Sequence, residues 1–281
     1  MIKQSKSKKM KNSIYKFYYL NEYALDALLK GYVFCNHYEN FNDPFECWCI
    51  VNAGIPDPEK EKQRFLNVIK VWGFPPEMAN VAKEDYFEYL ENFENESIDV
   101  DYYINSARIS CFSNDPTNLL MWAHYAAGLR GFCIEFDSEK FFLDQSQDAE
   151  IINVTYLNAP PILETICYPL ANDIYWHAEE EDSDQAIDFM HDFYSKMLAS
   201  KPKEWEYEKE VRLIYHSKNQ NKSGEKFNYN KSAIKSIVIG EKMSTENQNV
   251  IFDTVKKLGI NIPIKIAKRD RKNYRVVLQS L

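Results

Sequence analysis

Three side chains carry the strongest chemical potential in this chain of 281 residues: His124, Glu208 and Glu210. His124 lies in LLMWAHYAAG beside Trp122 and Tyr125, so an imidazole that can titrate near neutral pH stands among flat rings able to pack or to stack on a ligand. A hydrogen-bonded structural histidine in a short helix is the competing assignment. Glu208 and Glu210 fall in EWEYEKEVRLIY, with Arg212 two residues further on. Extended backbone over 201–215 would put Glu206, Glu208, Glu210 and Arg212 on one side, and Tyr207, Val211, Leu213 and Tyr215 on the other. Such a wall of carboxylates could divide labour on a sugar, one acid holding a hydroxyl or a nucleophile while the other opposes an oxocarbenium-like charge. Alternatively Arg212 pairs with the acids and the group only fixes a strand edge.

Smaller signals surround these. Ser110 and Ser113 close the apolar run RISCFS; Ser110 suits a structural place, and Ser113, next to a turn, could touch a ligand. Asn42 and Asp43 precede Pro44 in ENFNDPFE, where their side chains can cap a turn pinned by Phe41 and Phe45, with ligand contact as a second use. No GxSxG elbow, phosphate-binding loop, dinucleotide glycine fingerprint or HExxH helix is present. Cys47 and Cys49 would point to opposite sides of a strand and the five His are scattered, so no zinc spacing emerges and no metal is expected. The acids Glu91, Glu94, Glu96, Asp99 and Asp101 are expected on a solvated face.

The elements that must position these groups follow from periodicity. Aromatic and β-branched residues over 14–19 predict a strand, Asn21 a helix start, and Gly31 its end. Residues 32–36, 104–113, 132–136, 151–157, 201–215, 233–240, 264–266 and 274–278 predict further strands. Phe65, Leu66, Ile69 and Trp72 form one helical stripe, and Pro75 and Pro76 separate it from a second helix. Glu135, inside an apolar strand, must be paired or lie at an open edge, because an isolated buried carboxylate is costly. The sum is a single α+β domain over 13–281, with mixed or antiparallel sheets and helical insertions near 57–100 and 163–200. Residues 1–12, Lys-rich and without acids, are expected to be a flexible extension.

Bulk composition narrows the class. Nineteen Tyr, seventeen Phe and five Trp suggest an aromatic core and cleft. The net charge of −8, despite the basic start, does not suit a general DNA-binding surface, although a local basic groove stays open. No run reaches the roughly 18 apolar residues of a membrane helix, and six cysteines in apolar runs suit reduced thiols of a cytoplasmic protein.

The segments IYKFYYLNEYALDALLKGYVF, ENFNDPFE, RISCFSNDPTNLLMWAHYAAGLRGFCIEFD, EWEYEKEVRLI and AIKSIVIG together resemble the bacterial domain-of-unknown-function family 2971. That resemblance implies a setting in phage defence or toxicity. More remotely the chain is similar to ADP-ribosyltransferases, which combine an early strand contacting NAD, a middle strand with a Ser or aromatic motif, and a late catalytic Glu. The similarity implies such a core, with NAD as substrate and a protein or nucleic acid as acceptor. On that pattern Tyr15 or Lys16 with Tyr18, then Ser110 and Ser113, would contact NAD and Glu208 or Glu210 would be catalytic; beyond the pattern, Trp122, Tyr125 and Arg212 are expected to join the NAD-contacting set and His124 the catalytic one. Lys16 departs from the Arg or His of that pattern, and the Trp122, His124 and Tyr125 group is additional to it. The alternatives are a noncatalytic module that binds a nucleotide, nucleic acid or protein, and a nuclease.

Overall fold

The computed structural model describes residues 13–74, 76–94, 98–143, 148–177, 180–219 and 221–281. The basic extension expected over 1–12 lies outside them. Ser13–Tyr18 forms β1, and the Asn21 side chain accepts the Ala24 amide to cap α1 (Glu22–Lys30). Gly31 ends that helix at a φ of 79°, a left-handed conformation that glycine adopts without a Cβ clash. The chain continues through β2 (Tyr32–Cys35), β3 (Ile50–Asn52), α2 (Lys62–Val71), α3 (Ala79–Glu94) and α4 (Val100–Ser106). Next come β4 (Ala107–Ser113), α5 (Leu119–Tyr125), β5 (Phe132–Asp137), β6 (Ala149–Asn153), β7 (Thr155–Leu157) and β8 (Ile162–Glu164). The helices α6 (Cys167–His177) and α7 (Glu180–Leu198) lead into β9 (Ser200–Pro202) and β10 (Glu210–His216). The last elements are β11 (Glu225–Asn228), β12 (Ile234–Gly240), α8 (Thr245–Leu258), β13 (Ile264–Arg269) and β14 (Val276–Ser280).

These elements form an α+β structure with two compact units. One unit holds 43–105 and 155–202, and so contains both stretches expected as helical insertions. Its helices α2, α3 and α6 enclose Phe65, Ile69, Tyr86, Leu90 and Leu170, and Trp72 stacks on Tyr89 with ring centres 4.5 Å apart. Two small parallel sheets, β3 with β8 and β7 with β9, complete it.

The other unit holds the described residues of 10–42, 106–154 and 203–281. Its eight-stranded sheet runs β14-β13-β12-β5-β1-β4-β10-β6 and is antiparallel except between β12 and β13. Alternation along the strands sorts side chains onto two faces. Ile14, Phe112, Ile134, Phe136, Leu213 and Ile237 pack one face together with Leu28 of α1 and Ile251 of α8. Phe17, Cys133 and Val238 pack the other with Met121 and Trp122 of α5, where Phe17 and Trp122 meet edge to face at 5.3 Å.

Four expectations are corrected. The stretch 201–215 is not one strand: Lys203–Glu208 winds into a 3-10 turn closed by the Lys209 amide on the Glu206 carbonyl, and Lys209 sits at a φ of 45° before β10 begins. A left-handed residue interrupts alternation, so Glu206 and Glu208 do not share a strand face with Glu210 and Arg212. The strand expected over 151–157 divides at Val154, whose amide bonds to Glu210 while Thr155 turns to Ala199. Residues 104–106 are helical, not extended. Phe45 does not pin the turn at Pro44 against a core, being 53% exposed.

Candidate functional site

One rung of the sheet is polar across five strands. Directly opposed pairs link Ser236 to Glu135, Glu135 to Tyr15, Tyr15 to Ser113, and Ser113 to Glu210. Opposed residues of antiparallel strands project to the same side, so these five side chains line one face in a row. Glu135 resolves the pairing requirement its sequence position imposes. Ser13 at 3.0 Å and the Tyr15 hydroxyl at 3.3 Å donate to one of its oxygens, and Ser236 at 2.5 Å and Lys265 at 2.8 Å to the other. Burial would raise this carboxyl, but the bonds from Lys265, Ser236 and Ser13 hold it below the usual range. Burial first, and the Glu135 charge second, push the Tyr15 phenol up to about 12.

At the far end of the row Glu210 and Arg212 form a buried pair, Nε to Oε1 2.8 Å, on one side of β10. Glu208 lies before that strand in the 3-10 turn. Its carbonyl accepts from Ser113 Oγ at 2.7 Å, and its Oε1 accepts from the Tyr125 hydroxyl at 2.6 Å. The turn is tied to the segment entering α5 at two further points: Asn118 Nδ2 donates to the Tyr207 carbonyl, and Lys209 pairs with Asp115 at 2.7 Å. Asn118 also caps α5 by accepting the Leu120 and Met121 amides, which sets the helix on the sheet face. Around Glu208 stand partly exposed rings. His124, exposed on α5, is 6.4 Å from Tyr125 and 6.5 Å from Tyr207 between ring centres, and Tyr207 is 6.1 Å from Trp205.

Sequence-based candidates therefore part into groups. Tyr15, Ser113, Glu210 and Arg212 share the polar face, Trp122 and Tyr125 come to it from α5, and Glu208 joins through its turn; His124 marks the rim, its carbonyl accepting from Tyr19. Lys16, Tyr18 and Ser110 have the other parity and project to the opposite face. Asp43 Oδ1 accepts the Phe45 amide at 2.9 Å, the capping role foreseen for it, and Asn42 beside it is exposed. Sequence reasoning did not single out Ser13, Ser236 and Lys265 as partners of Glu135, nor Asn118 and Trp205; only the apolar neighbours of Glu135 hinted that partners had to exist.

Among the described residues no group of three or more His, Cys, Asp and Glu is arranged to hold a metal ion, and no helix is long and apolar enough to cross a membrane. None of the six cysteines forms a disulfide. No curated protein and no solved structure matches the chain. Residues 121–213, which include Trp122, Tyr125, Glu135, Glu208 and Arg212, match the family model described as Protein of unknown function (DUF2971).

Proposed function

We propose that the protein is an NAD-consuming glycosyl-transfer enzyme on an ADP-ribosyltransferase-like core, passing ADP-ribose to a protein or nucleic acid. Glu208 carries this assignment: a carboxylate 3% exposed, held by a tyrosine hydroxyl at the base of a group of aromatic rings. In the reaction the C–N bond between ribose C1′ and nicotinamide breaks, and its electron pair leaves with the nicotinamide. A lone pair of the acceptor forms the new bond to C1′, and the acceptor proton passes to solvent. The carboxylate opposes the positive charge that develops on the ribose, which is the step where fixed charge in a dry site accelerates most. Tyr207 and Trp205 offer π-faces to the nicotinamide or adenine, and Lys203 and Lys209 in the same turn offer charge to the diphosphate. Because Glu208 is so well covered, the rings must part to admit a substrate.

Glu210 takes the other role, fixing β10 through Arg212. Purified protein supplied with NAD and with candidate protein and nucleic-acid acceptors should release nicotinamide, and Glu208→Gln should lower that release by about a hundredfold or more. Absence of both release and NAD binding sinks the assignment.

A noncatalytic nucleotide-binding module is the second assignment, favoured by the four donors that already satisfy Glu135 on the same face. It predicts NAD binding without turnover.

A further inference from the structure

β1 and β4 are neighbours in the sheet but share only the pair Tyr15 and Ser113. Further along, β4 is approached by the end of β2, where Asn36 and Ile109 exchange backbone hydrogen bonds of 2.8 and 2.9 Å. Lys16 occupies this parting. Its ammonium donates to the Cys111 carbonyl at 2.9 Å and lies 5.1 Å from the Phe112 ring centre and 5.8 Å from that of Tyr18. On the same face of β4, Ser110 Oγ is buried, 1% exposed, without an oxygen or nitrogen partner, and lies against the Cys35 thiol. Lys16 itself is half-buried.

An ammonium has three protons to donate, and one carbonyl among aromatic walls and thiols is a poor environment for its charge. Four ionisable groups face it. Glu210, across the sheet, supports the charged form; Cys35 and Cys111 would do so only as thiolates, and Tyr18 only as a phenolate. Burial pushes Cys35 up to about 12 and Tyr18 well above its usual range, so these stay neutral. Burial prevails at Lys16 too and draws it below its ordinary value.

We propose that Lys16 is a nucleophilic amine and that the parting between β1 and β4 is a site where a small aldehyde or ketone is held as an imine. The amine lone pair forms the bond to the carbonyl carbon, and the C=O π pair moves to oxygen, which takes a proton in the position the Ser110 hydroxyl can supply. The nitrogen loses its proton, water departs, and a C=N bond remains; Ser110 regains a proton from the water pool. Amine and carbonyl compound give imine and water, with no change of oxidation state. The site lies on the face opposite Glu208 and does not depend on NAD chemistry.

The full-length protein treated with formaldehyde and cyanoborohydride at pH 7, with peptides followed by mass spectrometry over time, tests this. The reagent hydride reduces the imine and fixes it at the lysine that formed it. Lys16 should be alkylated severalfold faster than the exposed Lys242 and Lys257, because burial favours its neutral, nucleophilic form. Ser110→Ala should slow Lys16 severalfold and leave the other two unchanged. Lys16 reacting no faster than the exposed lysines overturns the proposal, and an unaltered Lys16 rate in Ser110→Ala removes the serine from it.

Discussion

The Tyr125 hydroxyl donates to Glu208 Oε1 at 2.6 Å and joins α5 to the turn before β10 across 83 residues of sequence. Glu210, two residues on, is engaged instead by Arg212 within its own strand. The two acids should therefore fail differently. Glu208→Gln is expected to lower nicotinamide release by about a hundredfold or more while the thermal midpoint moves little. Glu210→Gln leaves Arg212 buried beside a neutral amide and should cost about 3 kcal/mol of stability, read by urea denaturation. Equal loss of turnover with equal loss of stability in both variants would contradict the division of roles.

Acid should weaken the unit built on the eight-stranded sheet through Glu135. Burial raises its carboxyl, yet the bonds from Lys265, Ser236 and Ser13 leave it below the value of an unfolded chain. A depressed folded value means the contribution is complete above the unfolded carboxylate range, near about 4, and is lost as pH falls through the folded value. Denaturation midpoints measured from pH 7 downward should fall less steeply in Lys265→Met than in the parent, because the variant has already lost one of the interactions that acid removes. Identical slopes would show that Lys265 does not set the carboxyl.

Lys209 holds a left-handed backbone at a φ of 45°, a conformation that costs a residue with a Cβ about 1 kcal/mol. Lys209→Gly should leave the denaturation midpoint unchanged or raise it, since the exposed pair with Asp115 contributes little. Lys209→Val, β-branched at the same φ, should lower it. A fall of the same size in both would place the value of Lys209 in its charge.

Gly131 bonds through its carbonyl to Gly240, and a Cβ there would stand 2.2 Å from the Tyr18 carbonyl oxygen. Neither backbone can yield cheaply, so Gly131→Ala should cost about 2 kcal/mol or more of stability, read by urea denaturation. A variant as stable as the parent would mean that this approach tolerates a methyl group.

Local chemistry made much of the fold legible. Asn21 and Gly31 bound α1 because a cap and a left-handed exit are short-range requirements, and β5 and β12 were visible as apolar runs. Alternation misled at 201–215 because a single positive φ at Lys209 resets the phase of every residue before it, and nothing in the residue type of lysine announces that. Tyr15, Ser113 and Glu210 were each individually plausible as site residues, and their alignment is a matter of register between strands, which one-dimensional spacing does not encode. For the same reason Lys16 and Ser110 could be grouped with Tyr15 and Ser113 by proximity in sequence although the pleat turns them away.

The polar rung also bears on what can fold alone. Of its five members, the span 121–213 supplies Glu135 and Glu210, while Tyr15 and Ser113 precede it and Ser236 follows it. Glu135 has both of its rung neighbours only when β1, β5 and β12 have met, and Glu210 gains its own only from β4. An excised 121–213 fragment would carry Glu135 without the hydroxyls of Ser13, Tyr15 and Ser236 and the ammonium of Lys265 that satisfy it, so its carboxylate should form its native contacts only after the long-range pairing of the whole sheet.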